Sequence, residues 1–134
     1  MRELPTQKKM DEKLLSLGDR LVHADWKNRW TPELPATGYC YVVTEVLWHY
    51  GLAEGEPEQL VLHDGSTHWY LRAGDGTVTD LTASQFDTLP DYTAGRVKPF
   101  YAGKVPTPRG LISERGYALA QYLGYADTSE EACR

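Results

Sequence analysis

Met10, Leu14, Leu17 and Leu21 recur at spacings of three and four, which lays one apolar stripe along a helix. The spacing predicts a first helix from Gln7 to His23, with Thr6 as its N-cap. A second apolar run behaves differently. Val42, Val43, Val46, Leu47, Trp48 and Tyr50 wrap almost all round a helix from Cys40 to Tyr50, so that helix is buried. Gly51 is a suitable residue to end it. Its valines lower helix propensity, and a strand is the competing reading. Between the two lies a loop, Ala24 to Tyr39, with Pro32 and Pro35. It carries Trp26 and Trp30, which are expected to pack onto the domain.

The pattern then changes to short alternating runs. Gln59 to Leu62 reads as a strand. Thr67 to Ala73 and Thr77 to Leu81 read as a hairpin around Gly74-Asp75-Gly76, and His63-Asp64-Gly65 as a turn. Thr82 to Phe86 resembles a short helical turn capped by Thr82. A stretch rich in Pro, Gly and Tyr follows, from Asp87 to Arg109, with one strand expected near Val97 to Tyr101. Ser113 to Leu123 reads as a closing helix ended by Gly124. Helices framing a small antiparallel sheet imply an α+β class. The chain of 134 residues suits one domain, residues 1–126, followed by a disordered C-terminal tail, 127–134.

Composition narrows the functions. Hydrophobic residues make up 41%, charged residues 25%, and the net charge is −5. A globular domain of that charge lacks the basic face that non-specific nucleic-acid binding needs. No leader pattern and no apolar run of about 20 residues is present, so neither a signal peptide nor a membrane span is expected. The two cysteines, Cys40 and Cys133, cannot build a zinc framework and read as free thiols in a reducing cytoplasm. No cofactor and no metal are called for, and the oligomeric state is not legible.

Cys40 carries the candidate chemistry. It stands where a loop becomes a helix, and unpaired N–H groups with a positive partial charge gather there. A histidine, His68, and an acid, Asp80, follow on successive strands. Cysteine at a helix start, then histidine, then an acid is the order used by papain-like and transglutaminase-like cysteine enzymes. The hairpin register makes this sharp. If Gly74-Asp75-Gly76 is a three-residue loop, Tyr70 faces Asp80, and His68 is its diagonal neighbour on the same face. A two-residue loop, Asp75-Gly76, would send Asp80 to the opposite face. His49 is a poor partner for Cys40, because nine residues of helix are about 900° of rotation. The assigned roles are Cys40 as thiolate nucleophile, His68 as proton acceptor and donor, and Asp80 as the group that orients the imidazole. The Cys40 backbone N–H is the natural first oxyanion donor. Asn28 is a second candidate donor if the loop folds back.

Other polar residues read as structural. His23 and Asp25 lie near the expected helix end. Tyr92, Tyr101, Tyr117, Tyr122 and Tyr125 suit core and rim packing. Arg115 is read as a solvent-facing or sheet-pairing group. A metal held by His63, His68 and Asp80 is a weaker idea.

These residues resemble the YunG-like proteins of bacteria and their phages. The resemblance runs from Asp25 to Leu123. It rests on Trp26 and Trp30, Pro35, Gly38 and Cys40, His68-Trp69, Asp75-Gly76, and above all Asp80-Leu81-Thr82-Ala83-Ser84-Gln85-Phe86. Arg115 and Tyr117 are similar to the family's closing Arg-Tyr pair, here with Gly116 between them. The resemblance implies a minimal papain-like or transglutaminase-like fold with a Cys-His-Asp site. The family has Gln directly before the cysteine, where this chain has Tyr39. Tyr39, Gln85 and Trp69 are therefore the candidate oxyanion or substrate-contacting residues.

Two functions follow. The first is a cysteine hydrolase or acyltransferase acting on an amide, isopeptide or thioester of a protein or peptide. Peptidase, deamidase and transglutaminase-like outcomes share its steps. The second is an inactive binding module of the same fold that occupies a partner protein.

Overall fold

The computed structural model describes residues 4–126. The expected tail, 127–134, and Cys133 within it lie outside the described residues. The elements are helices α1 (Gln7–Leu17), α2 (Cys40–His49) and α3 (Glu114–Leu123), with strands β1 (Glu56–Val61), β2 (Thr67–Arg72), β3 (Val78–Thr79), β4 (Arg96–Val97), β5 (Val105–Thr107) and β6 (Gly110–Ile112). The architecture is α+β. An antiparallel sheet in the order β3-β2-β1-β4 and a separate β5-β6 hairpin pack around α2. No helix among the described residues is long and apolar enough to cross a membrane.

α1 begins as its sequence predicts, with the Thr6 side chain accepting from Lys9 N. It ends six residues earlier than the stripe suggests, at Leu17 rather than His23. Gly18 takes φ 68°, a left-handed conformation open to glycine, and its N–H closes on Leu14 O and Leu15 O. Leu21 still packs beside the core from the turn that follows. The next segment is a 3-10 turn, Ala24–Arg29. Both loop tryptophans are half-buried against the core, and Trp30 Nε1 donates to Pro35 O.

α2 is a helix, not a strand, and it is the centre of the molecule. Val42, Val43, Val46 and Leu47 are buried among Met10 and Leu14 of α1, Leu71 of β2, Ile112 of β6 and Leu119 of α3. Removing such side chains from water is the main stabilising term. Gly38 delivers the chain to this helix. Its φ is +82°, and a Cβ there would lie 2.6 Å from Val22 Cγ1, so no other residue fits both the turn and the contact.

β1 starts earlier than expected, at Glu56, and β4 is confined to Arg96–Val97. The β5-β6 hairpin has no counterpart in the expected elements. The β2-β3 pair has Leu71 opposite Thr79 and Arg72 opposite Val78, the register that a three-residue loop requires. α3 matches its expected range, with Ser113 capping it by accepting from Gly116 N.

Candidate active site

Cys40 is the first residue of α2. The preceding Tyr39 gives the helix no side-chain cap, so first-turn N–H groups stay open beside the thiol. Cys40 is half-buried and a free thiol. It lies on the wall of a cavity of about 330 Å³, together with Trp69, Gln85, Trp26, Tyr41 and Arg115.

His68 and Asp80 meet as the register demands. His68 Nε2 donates to Asp80 Oδ2 at 2.7 Å, with the two side chains 1% and 4% exposed. Asp80 is held on every side. Its Oδ2 also accepts from the Tyr92 hydroxyl at 2.6 Å. Its Oδ1 accepts from the N–H and the hydroxyl of Thr82, each at 3.2 Å. Thr82 thus orients Asp80 instead of capping the 3-10 turn Ala83–Gln85, for which its side chain makes no bond. Phe86 covers the imidazole edge-on, with ring centroids 4.8 Å apart.

The other imidazole nitrogen, His68 Nδ1, is buried and makes no well-formed hydrogen bond among the described residues. It is the nitrogen left for Cys40. Burial works against the charged ring. The Asp80 hydrogen bond, the Asp80 charge and the nearness of Cys40 outweigh burial and raise the His68 pKa to about 9.

α1 supports this arrangement from a distance. Gln7 Nε2 donates to Leu81 O, and Ser84 Oγ donates to Asp11 Oδ1, which clamps both ends of the segment from Leu81 to Ser84. On the far side, Arg72 donates to Glu58 and to Tyr92 O. Tyr70 donates to Glu58 Oε1. These bonds fix the backbone of Tyr92, the residue that reaches Asp80.

Of the remaining sequence-derived candidates, Trp69 and Gln85 face the cavity. Gln85 Nε2 also donates to Thr82 O. Tyr39 does not face it: the side chain is fully buried, and its hydroxyl donates to Gly18 O at 2.7 Å. That bond holds the end of α1 and corrects the expectation of a Tyr39 hydroxyl at the thiol. Asn28 sits exposed on its 3-10 turn, away from the cavity wall. His49 lies at the far end of α2 against Thr107, as the helix rotation requires. His63 is exposed in the β1-β2 turn, and no group of three or more metal-ligating side chains is gathered among the described residues.

Three residues read as structural belong to the site region. His23 and Asp25 stand at the cavity mouth, 3.5 Å apart. Arg115 reaches the wall from α3, where Nη1 donates to Leu21 O at 2.9 Å.

The YunG protein family model matches residues 18–113, a span that contains Cys40, His68, Asp80 and Tyr92. The chain belongs to the YunG family. No curated protein and no solved structure matches it. In this YunG-family chain the Asp-Leu-Thr-x-x-Gln-Phe stretch has a physical reading. Asp80 holds the imidazole, Thr82 holds Asp80, Gln85 faces the cavity and Phe86 shields the ring.

Proposed function

We propose that this YunG-family chain is a papain-like or transglutaminase-like cysteine enzyme that acts on an amide, isopeptide or thioester of a protein or peptide. The observation that carries the reading is the 2.7 Å His68–Asp80 hydrogen bond, with Cys40 at the helix start beside the remaining imidazole nitrogen. An imidazole poised this way draws the thiol proton and leaves a thiolate.

The thiolate sulfur attacks the carbonyl carbon, and the carbonyl π pair moves to oxygen. The Cys40 backbone N–H and its neighbours in the first turn of α2 are the donors for that oxyanion. The oxyanion collapses, the bond to the leaving group breaks, and the His68 imidazolium protonates the departing amine or thiol. Water or an amine, deprotonated by His68, then attacks the acyl-thioester and restores the free thiol. Asp80 keeps its charge throughout and holds the ring in one tautomer. Thiol chemistry of this kind suits a reducing compartment such as the cytoplasm.

The test is acylation by p-nitrophenyl acetate, followed by mass analysis of the Cys40 peptide. An acetyl adduct on Cys40 is expected, with its rate of formation reduced at least about 100-fold in His68→Ala. No adduct together with no p-nitrophenolate release above background, or equal rates in the two proteins, would exclude the acylation mechanism and favour a binding module.

A further inference from the structure

We propose that Arg115 is the anion-binding group of the cavity and that the acyl donor carries a carboxylate next to the carbonyl attacked by Cys40. This rests on the acylation reading above and names its substrate class.

Arg115 lines the same cavity as Cys40. Its side chain is anchored by Nη1 to Leu21 O. Among the described residues no other hydrogen bond and no ion pair engages the guanidinium, so most of its N–H groups remain to be used. A cation drawn out of water without a paired anion is costly. Burial lowers the Arg115 pKa, and the neighbouring Glu45 carboxyl group acts in the opposite direction.

No acid pairs with it by contact among the described residues. The Glu45 carboxylate is buried and accepts from Ser113 N at 3.2 Å and from Ser113 Oγ at 2.5 Å. Burial, above all, raises its pKa, while the Ser113 bonds lower it. Asp25 stands at the cavity mouth, but its side chain is 84% exposed and beside His23, where water and salt screen it.

The rest of the wall is largely aromatic, with Trp26, Tyr41, Trp69 and Tyr101. Such walls strengthen a charge interaction. A guanidinium presents two parallel N–H groups, which match the two oxygens of a carboxylate. The cavity therefore offers a nucleophile, aromatic walls and one cation that no carboxylate contacts among the described residues.

Small alkylating acids and their amides test this without a known substrate. In each case the Cys40 sulfur displaces iodide, forming a C–S bond as the C–I bond breaks. Iodoacetate is compared with iodoacetamide, and β-iodopropionate with β-iodopropionamide, to sample two reaches. The rate is read on the Cys40 peptide by mass spectrometry, and glutathione gives the reference ratio. At least one acid is expected to be favoured over its amide at least about tenfold relative to glutathione. Added salt should reduce that preference. Arg115→Gln should abolish it, and Arg115→Lys should keep part of it.

A wild-type ratio equal to that of glutathione for both pairs overturns the proposal, whether or not Arg115→Gln folds. So does a ratio unchanged in a folded Arg115→Gln, since a group that only stabilised the thiolate would change acid and amide alike. In both cases a fast, His68-dependent reaction with iodoacetamide leaves the acylation reading standing. Slow reaction with every reagent, unchanged by His68→Ala, overturns both.

Discussion

The Tyr92 hydroxyl donates to Asp80 Oδ2 at 2.6 Å, the same oxygen that accepts from His68 Nε2. A residue from the 3-10 turn Tyr92–Ala94 thus completes the support of an acid that sits twelve positions earlier. The bond is charge-assisted, and both oxygens of the carboxylate are engaged by donors. Tyr92→Phe removes one donor and keeps the ring. It should destabilise the fold by about 2 kcal/mol, the usual scale for a hydrogen bond to a charged group. Urea unfolding of the two proteins measures this. A loss within error of zero would mean that water replaces the hydroxyl freely.

The His68 pKa of about 9 lies above the ordinary 6.5. Stabilisation from the charged ring is therefore complete below about pH 6.5 and is lost as pH rises through about 9. The urea midpoint of the wild type should fall between about pH 7 and about pH 10. The fall should be shallower in His68→Gln, which has no ring to titrate, and in Asp80→Asn it should move to lower pH. Equal slopes in wild type and His68→Gln would contradict the raised value.

Gly95 closes against the network that holds Tyr92. A Cβ at this position would overlap the Tyr70 hydroxyl and come within 3.0 Å of Glu58 Oε1. Gly95→Ala should cost about 1–3 kcal/mol by overpacking, measured by chemical unfolding. It should also slow Cys40 alkylation, because the Tyr70 tip bonds to the Tyr92 carbonyl. An alanine variant as stable and as reactive as wild type would show that the turn shifts without effect on Asp80.

Much of the site is legible in the residues because it rests on local rules. Gly38 and the apolar run after Cys40 mark the loop-to-helix boundary. The odd loop Gly74-Asp75-Gly76 sets the strand register, and the register brings His68 to Asp80. What is hidden depends on long-range packing. Tyr92 lies in a Pro- and Gly-rich stretch with no periodicity, so nothing local aims its hydroxyl at Asp80. Arg115 reaches the cavity only because α3 packs on α2. Tyr39 turns inward because Gly18, far back in the chain, ends α1 and offers its carbonyl. β5 and β6 have three residues each, too short for alternation to register, and Pro106 and Pro108 argue against strands. The Leu17–Leu21 spacing extends α1 on paper, but the backbone turns at Gly18.

The central claim is that His68 activates Cys40. The most direct measurement is the rate of Cys40 alkylation by iodoacetamide at about pH 6, followed on the Cys40 peptide in wild type and in His68→Ala. The wild-type thiol should react at least about 100-fold faster. Equal rates in two folded proteins would contradict the account.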